Sequence, residues 1–311
     1  MLTLPTDFPA PQSEHQTMTE DPRQRFRKLL RGPKTAVMGG AHDALSAVLI
    51  EQAGFDGIWA SSFGIALASQ CAPDIDLLTM TEVLDIVRNI SQAVSVPIMV
   101  DGNSGFGNYN NVMRAVRACE DIGAAAICIE DNLFPKRCSL YNNNQRELVS
   151  EDEMVTKVRA AKLAQRDPNF TVVARVESLI AGHGLDVALK RANAYREAGA
   201  DAILIHAKSF SPLKEFTREW NHDCPLVVVP TLFEQTSLAE LEDCGFRVVI
   251  FANHAVRAAV RAMRDTLAVI RKTGSTSSVN DQIASLEEVY QLVRLNELEE
   301  IDLAVRNGKK G

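Results

Sequence analysis

The chain has no apolar run near the ~20 residues that a membrane-spanning helix requires. Its N-terminus lacks the basic-then-apolar plan of an export signal. Both absences lead us to expect a cytoplasmic protein with no membrane partner. No arginine- or lysine-rich stripe stands out: 33 Lys and Arg face 40 Asp and Glu, for a formal net charge of -7. That balance speaks against a nucleic-acid partner, which would select a basic face. Cysteine is sparse and irregular. The six thiols (Cys71, Cys119, Cys128, Cys138, Cys224 and Cys244) include no CxxC pair, so the usual zinc and dithiol signatures are missing. They read as reduced thiols, most of them small core residues, with Cys138 set apart in a polar loop. There is no GxGxxG fingerprint for a dinucleotide, no low-complexity tract and no solenoid period.

What is present is a regular alternation. Residues 1–20, rich in Pro, Thr, Glu and Gln without periodicity, are expected to form a disordered tail. A short helix is expected over 23–30. Short apolar runs follow at 35–38, 57–60, 97–100, 124–129, 171–176, 202–205, 226–229 and 248–251. Helical patterns separate them, at 44–53, 81–94, 110–122, 151–165, 186–198, 213–220, 237–244 and 256–273. A long loop carrying Cys71-Ala72-Pro73-Asp74 leads into the helix near Thr81. A polar break at 274–280 precedes a final helical region from Ser285 to about Val305. About eight strand-helix repeats predict a (β/α)8 barrel, one domain over 21–311 with a C-terminal helical extension. An open doubly wound sheet fits the repeat count less well.

The stretch 97–141 organises the rest. Two apolar runs joined by a glycine-rich turn (Gly102, Gly105, Gly107) and a helix form a βαβ unit, which places Asp101 and Glu130 at one mouth of the sheet. The loop beyond carries Lys136, Arg137, Cys138 and Ser139. Other strand ends present Ser61 with Ser62, Arg175 with Glu177, His206, Thr231 and Asn253, and Asp74 lies in the long second loop. Singly, each has a bland alternative. Asp131 and Asn253 could be helix caps, Glu177 could merely pair with Arg175, His206 could be a packing residue, and Gly105 and Gly107 could serve only a tight turn. Jointly, acidic, basic and amide groups fall on the same end of the barrel, and the other end shows no comparable set. Hard divalent cations prefer oxygen ligands, and magnesium binds directly to one or two carboxylates while keeping several waters. Asp101, Glu130 and Asp74, with Asn103 as a neutral member, suit Mg2+. Arg175 can grip a carboxylate or phosphoryl group through its fork of donors. The expected substrate is a small oxyacid.

The motifs Gly54-Phe55 before Trp59, DGNSGFGNYNN (101–111), EDNLFPKRCSL (130–140), ARVESLIAG (174–182), AGADAILIH (198–206), Val229-Pro230-Thr231 and Ala252-Asn253-His254 occur in this order. The chain thereby resembles the phosphoenolpyruvate mutase/isocitrate lyase superfamily over roughly residues 30–300, and within it the phosphoenolpyruvate mutase and phosphonopyruvate hydrolase branch. The resemblance implies a magnesium-dependent barrel that forms homodimers or homotetramers by exchanging its final helix between subunits. It implies Asp101 as direct metal ligand, with Asp74, Asn103 and Glu130 acting through water. Ser61, Ser62, Phe63, Arg175 and His206 would hold substrate. Asp74, Lys136, Cys138, Ser139, Arg175 and His206 would serve catalysis, and the loop 132–141 would be a gate.

Departures from the family pattern decide the reaction. Asn103 stands where Asp is usual, Asn132 where mutases carry Lys, and Cys138 where mutases carry Asn and hydrolases Thr. Lys136-Arg137-Cys138 copies the carbon–carbon lyase loop, whereas Ser139-Leu140 copies the mutase. The resemblance implies, first, an isomerase interconverting phosphoenolpyruvate and phosphonopyruvate in phosphonate biosynthesis, with magnesium and Ser61-Ser62-Phe63 holding the pyruvate enolate. The alternatives are phosphonopyruvate hydrolysis and a lyase of 2-hydroxy or 2-oxo dicarboxylic acids using Cys138 as acid/base. A catalytically silent barrel that keeps the ligand pocket is the remaining class.

Overall fold

The computed structural model describes residues 20–137 and 147–307. The expected tail, apart from Glu20, lies outside the described residues, as do Cys138 and Ser139. Eight short apolar strands are almost wholly buried on both faces, as parallel strands covered by helices must be. They are β1 (Ala36–Ala41), β2 (Gly57–Ala60), β3 (Ile98–Asp101), β4 (Ala126–Glu130), β5 (Thr171–Val176), β6 (Ala202–Ile205), β7 (Leu226–Val228) and β8 (Phe246–Phe251). All pair in parallel and in sequence order, and β8 returns to β1 to close the barrel. The intervening helices are α2 (Ala44–Gln52), α3 (Ser62–Gln70), α4 (Met80–Ala93), α5 (Tyr109–Asp121), α6 (Glu151–Ala164), α7 (Leu185–Glu197), α8 (Phe210–Glu219) and α9 (Leu238–Asp243), with α1 (Pro22–Arg31) ahead of β1. Reciprocal capping boxes start several of them, such as Thr79 with Glu82 and Ser237 with Glu240.

Period-2 alternation along the strands builds two apolar layers. Ile98, Val100, Ile127, Ile129, Ala174 and Ile205 face the helices, whereas Trp59, Met99, Cys128, Val173 and Leu204 fill the barrel interior. Counting two residues on from each interior residue reaches Ser61, Asp101, Glu130, Arg175 and His206. Parity and strand direction together carry these five groups to the C-terminal mouth. Phe26 and Leu30 of α1 join the interior layer.

The (β/α)8 barrel agrees with the sequence, with four corrections. Residues 62–70 form α3 rather than loop, begun by Ser61, whose side chain accepts from the Gly64 N–H. Its sequence, SFGIALASQ, is apolar and small nearly all round, so no helical stripe marks it. β1 extends through Gly39 and Gly40 to Ala41, beyond the apolar run at 35–38. Of the described cysteines only Cys119 and Cys128 are buried, and Cys71 is exposed. Finally, the N-terminal end of the barrel does carry charge. Arg23 Nη1 pairs with Asp167 at 2.8 Å, and Asp201 pairs with Arg27 at 2.9 Å and with Lys162 at 2.7 Å. These pairs, partly exposed and individually modest in worth, fasten α1 to the turns before β5 and β6.

After Val256 the chain forms a second compact unit. It takes in most of α10 (His254–Thr273), then a 3-10 turn (Asn280–Gln282), α11 (Leu286–Leu292) and α12 (Leu295–Arg306). The single final helical region is thus broken, at Arg294, whose φ of 54° lies in the left-handed region. No helix among the described residues is long and apolar enough to cross a membrane.

The closure of the barrel depends on Gly40. A Cβ there would lie 1.9 Å from the backbone oxygen of Ala252, and main chain cannot rotate away as a side chain can. Gly40→Ala should destabilise the fold by about 3 kcal/mol or more in urea unfolding. Gly184→Ala, where an added Cβ meets nothing within 4 Å, should cost less than about 1 kcal/mol.

Candidate active site

Two buried cations share one buried carboxylate. Lys136 Nζ lies 3.8 Å from Glu130 Oε1, and Arg175 Nη1 lies 3.2 Å from Glu130 Oε2. From there alternating charge runs both ways. Lys136 Nζ also pairs with Asp74 at 2.9 Å and donates to Ser62 Oγ at 3.3 Å. Arg175 Nε pairs with Glu177, while Arg175 Nη2 and Glu177 Oε1 each lie 2.9 Å from His206 Nδ1. That ring nitrogen accepts from Arg175 in one tautomer and donates to Glu177 in the other. The Asn132 side-chain amide donates to Glu130 Oε1 at 3.0 Å. Removing such ions from water costs several kcal/mol each, and pairing on both sides offsets that cost. Burial alone would lower the pKa of Lys136, but Asp74, Glu130 and Asp101 outweigh it and hold the amine above its ordinary value. For Arg175 burial is likewise overcome, here by Glu177, Glu130 and Asp101.

Asp101 stands beside this chain. Its Oδ2 accepts from Ser62 Oγ at 2.7 Å and its Oδ1 from the Asn103 N–H at 3.3 Å. Burial pushes the Asp101 carboxyl above its usual range, and Lys136 and Arg175 draw it part of the way back. The Asn103 side-chain oxygen is a buried acceptor with no donor, on a residue whose φ of 50° is left-handed. Four carboxylates (Asp74, Asp101, Glu130, Glu177) stand with the two cations Lys136 and Arg175, so up to two negative charges exceed the fixed positive charge when all four are ionised. Among the described residues no three Asp, Glu, His or Cys side chains converge closely enough to chelate an ion alone. A surplus of carboxylates over cations, one under-paired carboxylate and one orphaned amide oxygen fit a hard divalent cation that keeps most of its waters. The residues that could hold such an ion are Asp101, Asn103, Glu130 and Asp74.

The cavity over these groups measures about 50 Å³ and is walled also by Trp59, Phe63, Thr231 and Asn253. It has room for a few waters or a small oxyacid, not for a nucleotide. The Thr231 hydroxyl is buried there without a partner. Ser61 both caps α3 and lines the cavity. The structure therefore brings together Ser61, Ser62, Phe63, Asp74, Asp101, Asn103, Glu130, Lys136, Arg175 and His206. Cys138 and Ser139 lie outside the described residues.

Two bland readings need correction. Glu177 does not merely pair with Arg175; it also meets His206. Asp131 is not a helix cap. It is fully buried and accepts from the Glu177 N–H at 2.8 Å, Arg191 Nη1 at 2.9 Å and the Tyr195 hydroxyl at 2.7 Å. It holds the end of β5 in place from behind the site. Among groups that sequence reasoning passed over, Trp59 had a signal, since it sits two residues before Ser61 on the inward face. Asp76, which accepts from the Lys136 backbone N–H at 2.8 Å, had none.

A family profile for phosphoenolpyruvate phosphomutase matches residues 26–271. The phosphonopyruvate hydrolase of Variovorax sp. (strain Pal2) is 42% identical over 274 residues, which cover 86% of this chain and 93% of that one. The solved phosphoenolpyruvate phosphomutase of Streptomyces platensis subsp. rosaceus aligns with a TM-score of 0.88 at 46% identity, covering 90% of this chain and 98% of its own. A phosphonopyruvate hydrolase in complex with oxalate and Mg2+ aligns with a TM-score of 0.85 at 39% identity, covering 91% and 99%. With its barrel, its strand-end constellation and these likenesses, the chain belongs to the phosphoenolpyruvate phosphomutase family, a family of enzymes that act on small molecules.

Proposed function

We propose that the protein is an isomerase interconverting phosphoenolpyruvate and phosphonopyruvate, a step that makes or uses the C–P bond of phosphonate biosynthesis. The observation that carries this reading is the pair of buried cations, Lys136 and Arg175, bridged by Glu130 beside Asp101. Magnesium held by Asp101, with Asn103, Glu130 and Asp74 through water, would supply the positive charge that offsets a pyruvate oxyanion. The N-terminus of α3, with Ser61, Ser62 and Phe63, receives the oxyacid, since the first N–H groups of a helix favour an anion. In the forward direction the bond from phosphorus to the enol oxygen breaks and the bond to C3 forms, with no net proton change. The transition state is loose, so positioning and charge carry the catalysis. Arg175 grips the phosphoryl oxygens through its fork, His206 donates to them, and Lys136 offsets charge between donor and acceptor positions. The small volume of the cavity limits water.

Hydrolysis of phosphonopyruvate is the second reading, supported by the 42% identity to the Variovorax hydrolase. It needs only a water admitted to the same cavity. The lyase reading rests on Cys138, and residues 138–141 of the gate proposed for 132–141 fall outside the described residues. We also propose a cytoplasmic homodimer or homotetramer that exchanges its final helix. Leu298, Ile301 and Val305 of α12, each at least 60% exposed, supply the apolar surface for it.

Phosphorus NMR with magnesium and phosphonopyruvate tests the choice. The expected result is loss of the C–P signal with growth of a phosphate-ester signal. Inorganic phosphate with stoichiometric pyruvate and no transient ester would move the assignment to the hydrolase; an unchanged spectrum would overturn both. Lys136→Ala should lower kcat by about 10²- to 10³-fold, the scale seen when one transition-state donor is removed. Chelation should abolish turnover, with recovery on adding magnesium. Asp101→Ala should raise the magnesium concentration needed for half-maximal rate by at least about tenfold.

A further inference from the structure

Lys136 is gripped at both ends by one short piece of chain. Its ammonium pairs with Asp74 at 2.9 Å, and its backbone N–H donates to Asp76 Oδ2 at 2.8 Å. The same Asp76 oxygen accepts from Ser104 Oγ at 2.9 Å. The Ser104 carbonyl in turn accepts from Nζ of Lys157 at 3.0 Å, and that lysine is only 1% exposed. One carboxylate oxygen thus joins three segments: the loop after α3, the turn after β3 and the loop after β4. None of Asp76, Ser104 and Lys157 lines the cavity. The backbone at Asp76 has a φ of 60°, a left-handed conformation that costs most L-residues about 1–2 kcal/mol but is tolerated by Asp and Asn. Within 134–137, the main chain is held at the Lys136 N–H, and the partner there is Asp76.

We propose that Asp76 is a positioning residue for Lys136. It fixes the main chain from which the ammonium reaches Glu130 and Asp74 together. A lysine side chain has four rotatable bonds and no fixed plane. With its Cα unanchored, the ammonium could follow Asp74 alone and lose its 3.8 Å approach to Glu130. A reacting-group displacement of about 1 Å costs up to about 10²-fold in rate. The effect on turnover rests on the phosphoryl-transfer reading; the anchoring of Lys136 does not.

The test compares wild type, Asp76→Gly and Asp76→Asn, each with and without Lys136→Ala. Glycine removes the carboxylate while leaving the left-handed backbone unstrained. Asparagine keeps an oxygen that can accept both bonds. Amide hydrogen exchange at Lys136, read by NMR, should quicken by about tenfold or more in Asp76→Gly and stay within about threefold in Asp76→Asn. Asp76→Gly should lower kcat by about 30- to 100-fold with KM changed less than about threefold, and Asp76→Asn should recover most of that loss. In the Lys136→Ala background, Asp76→Gly should cost less than a further ~twofold, because its effect passes through the missing lysine. An Asp76→Gly protein whose Lys136 amide stays protected would overturn the proposal. So would an equal loss of kcat with and without Lys136. Should wild type leave phosphonopyruvate unchanged, the functional reading fails, and the exchange measurement alone decides the role of Asp76.

Discussion

Everything at the mouth of the barrel turns on a carboxylate that faces two cations at once. Glu130 gives one oxygen to the side of Lys136 and the other to Arg175, so neither cation can move without leaving a buried negative charge exposed to the other. Such a bridge is costly to bury, and removing one partner leaves an uncompensated buried charge. It aligns Asp74, Ser62 and Asp101 on one flank and Glu177 and His206 on the other. Asp131 then holds the Glu177 N–H from behind, tied to Arg191 and Tyr195. The result is a row of groups whose positions are set mainly by one another, resting on strand ends that the barrel fixes.

The barrel makes the row possible through a simple parity. Interior residues fill the space between strands up to the last turn, and the next inward position on each strand is polar. Neighbouring strands β3, β4 and β5 therefore present Asp101, Glu130 and Arg175 at their ends, with Glu130 opposite Arg175 and Asp101 opposite Cys128, one inward position earlier. The opposite end uses charge differently. There Arg23, Arg27 and Lys162 meet Asp167 and Asp201 at partly exposed positions and secure a helix that plugs the interior with Phe26 and Leu30.

That parity explains why so much was legible beforehand. A short apolar run that ends in Asp, Glu, Arg or His already gives strand, direction and face, and those three facts suffice to gather Asp101, Glu130, Arg175 and His206. Other features left no mark of that kind. α3 carries no polar stripe because it is covered on most sides. The break at Arg294 depends on one backbone angle, not on glycine or proline. The ion pairs of α1 join residues 144 and 174 positions apart, and Asp76 bonds a backbone N–H 60 positions away. Contacts between distant segments with no periodic pattern are set by tertiary geometry and cannot be read from local sequence.

The seam between β1 and β8 has a further consequence for how the protein comes to exist. Gly40 and the Ala252 carbonyl meet there with no space to spare, and Ala252 and Asn253 also wall the cavity. The walls are complete only when the first strand has found the last, the most distant pairing in the chain and one of high loop-closure cost. Until then the surplus of carboxylates is spread over separate, hydrated segments and repels little. Closing the seam concentrates it. A cation that answers that surplus would bind the closed barrel in preference to any open form, and by mass action would pull the last folding step to completion.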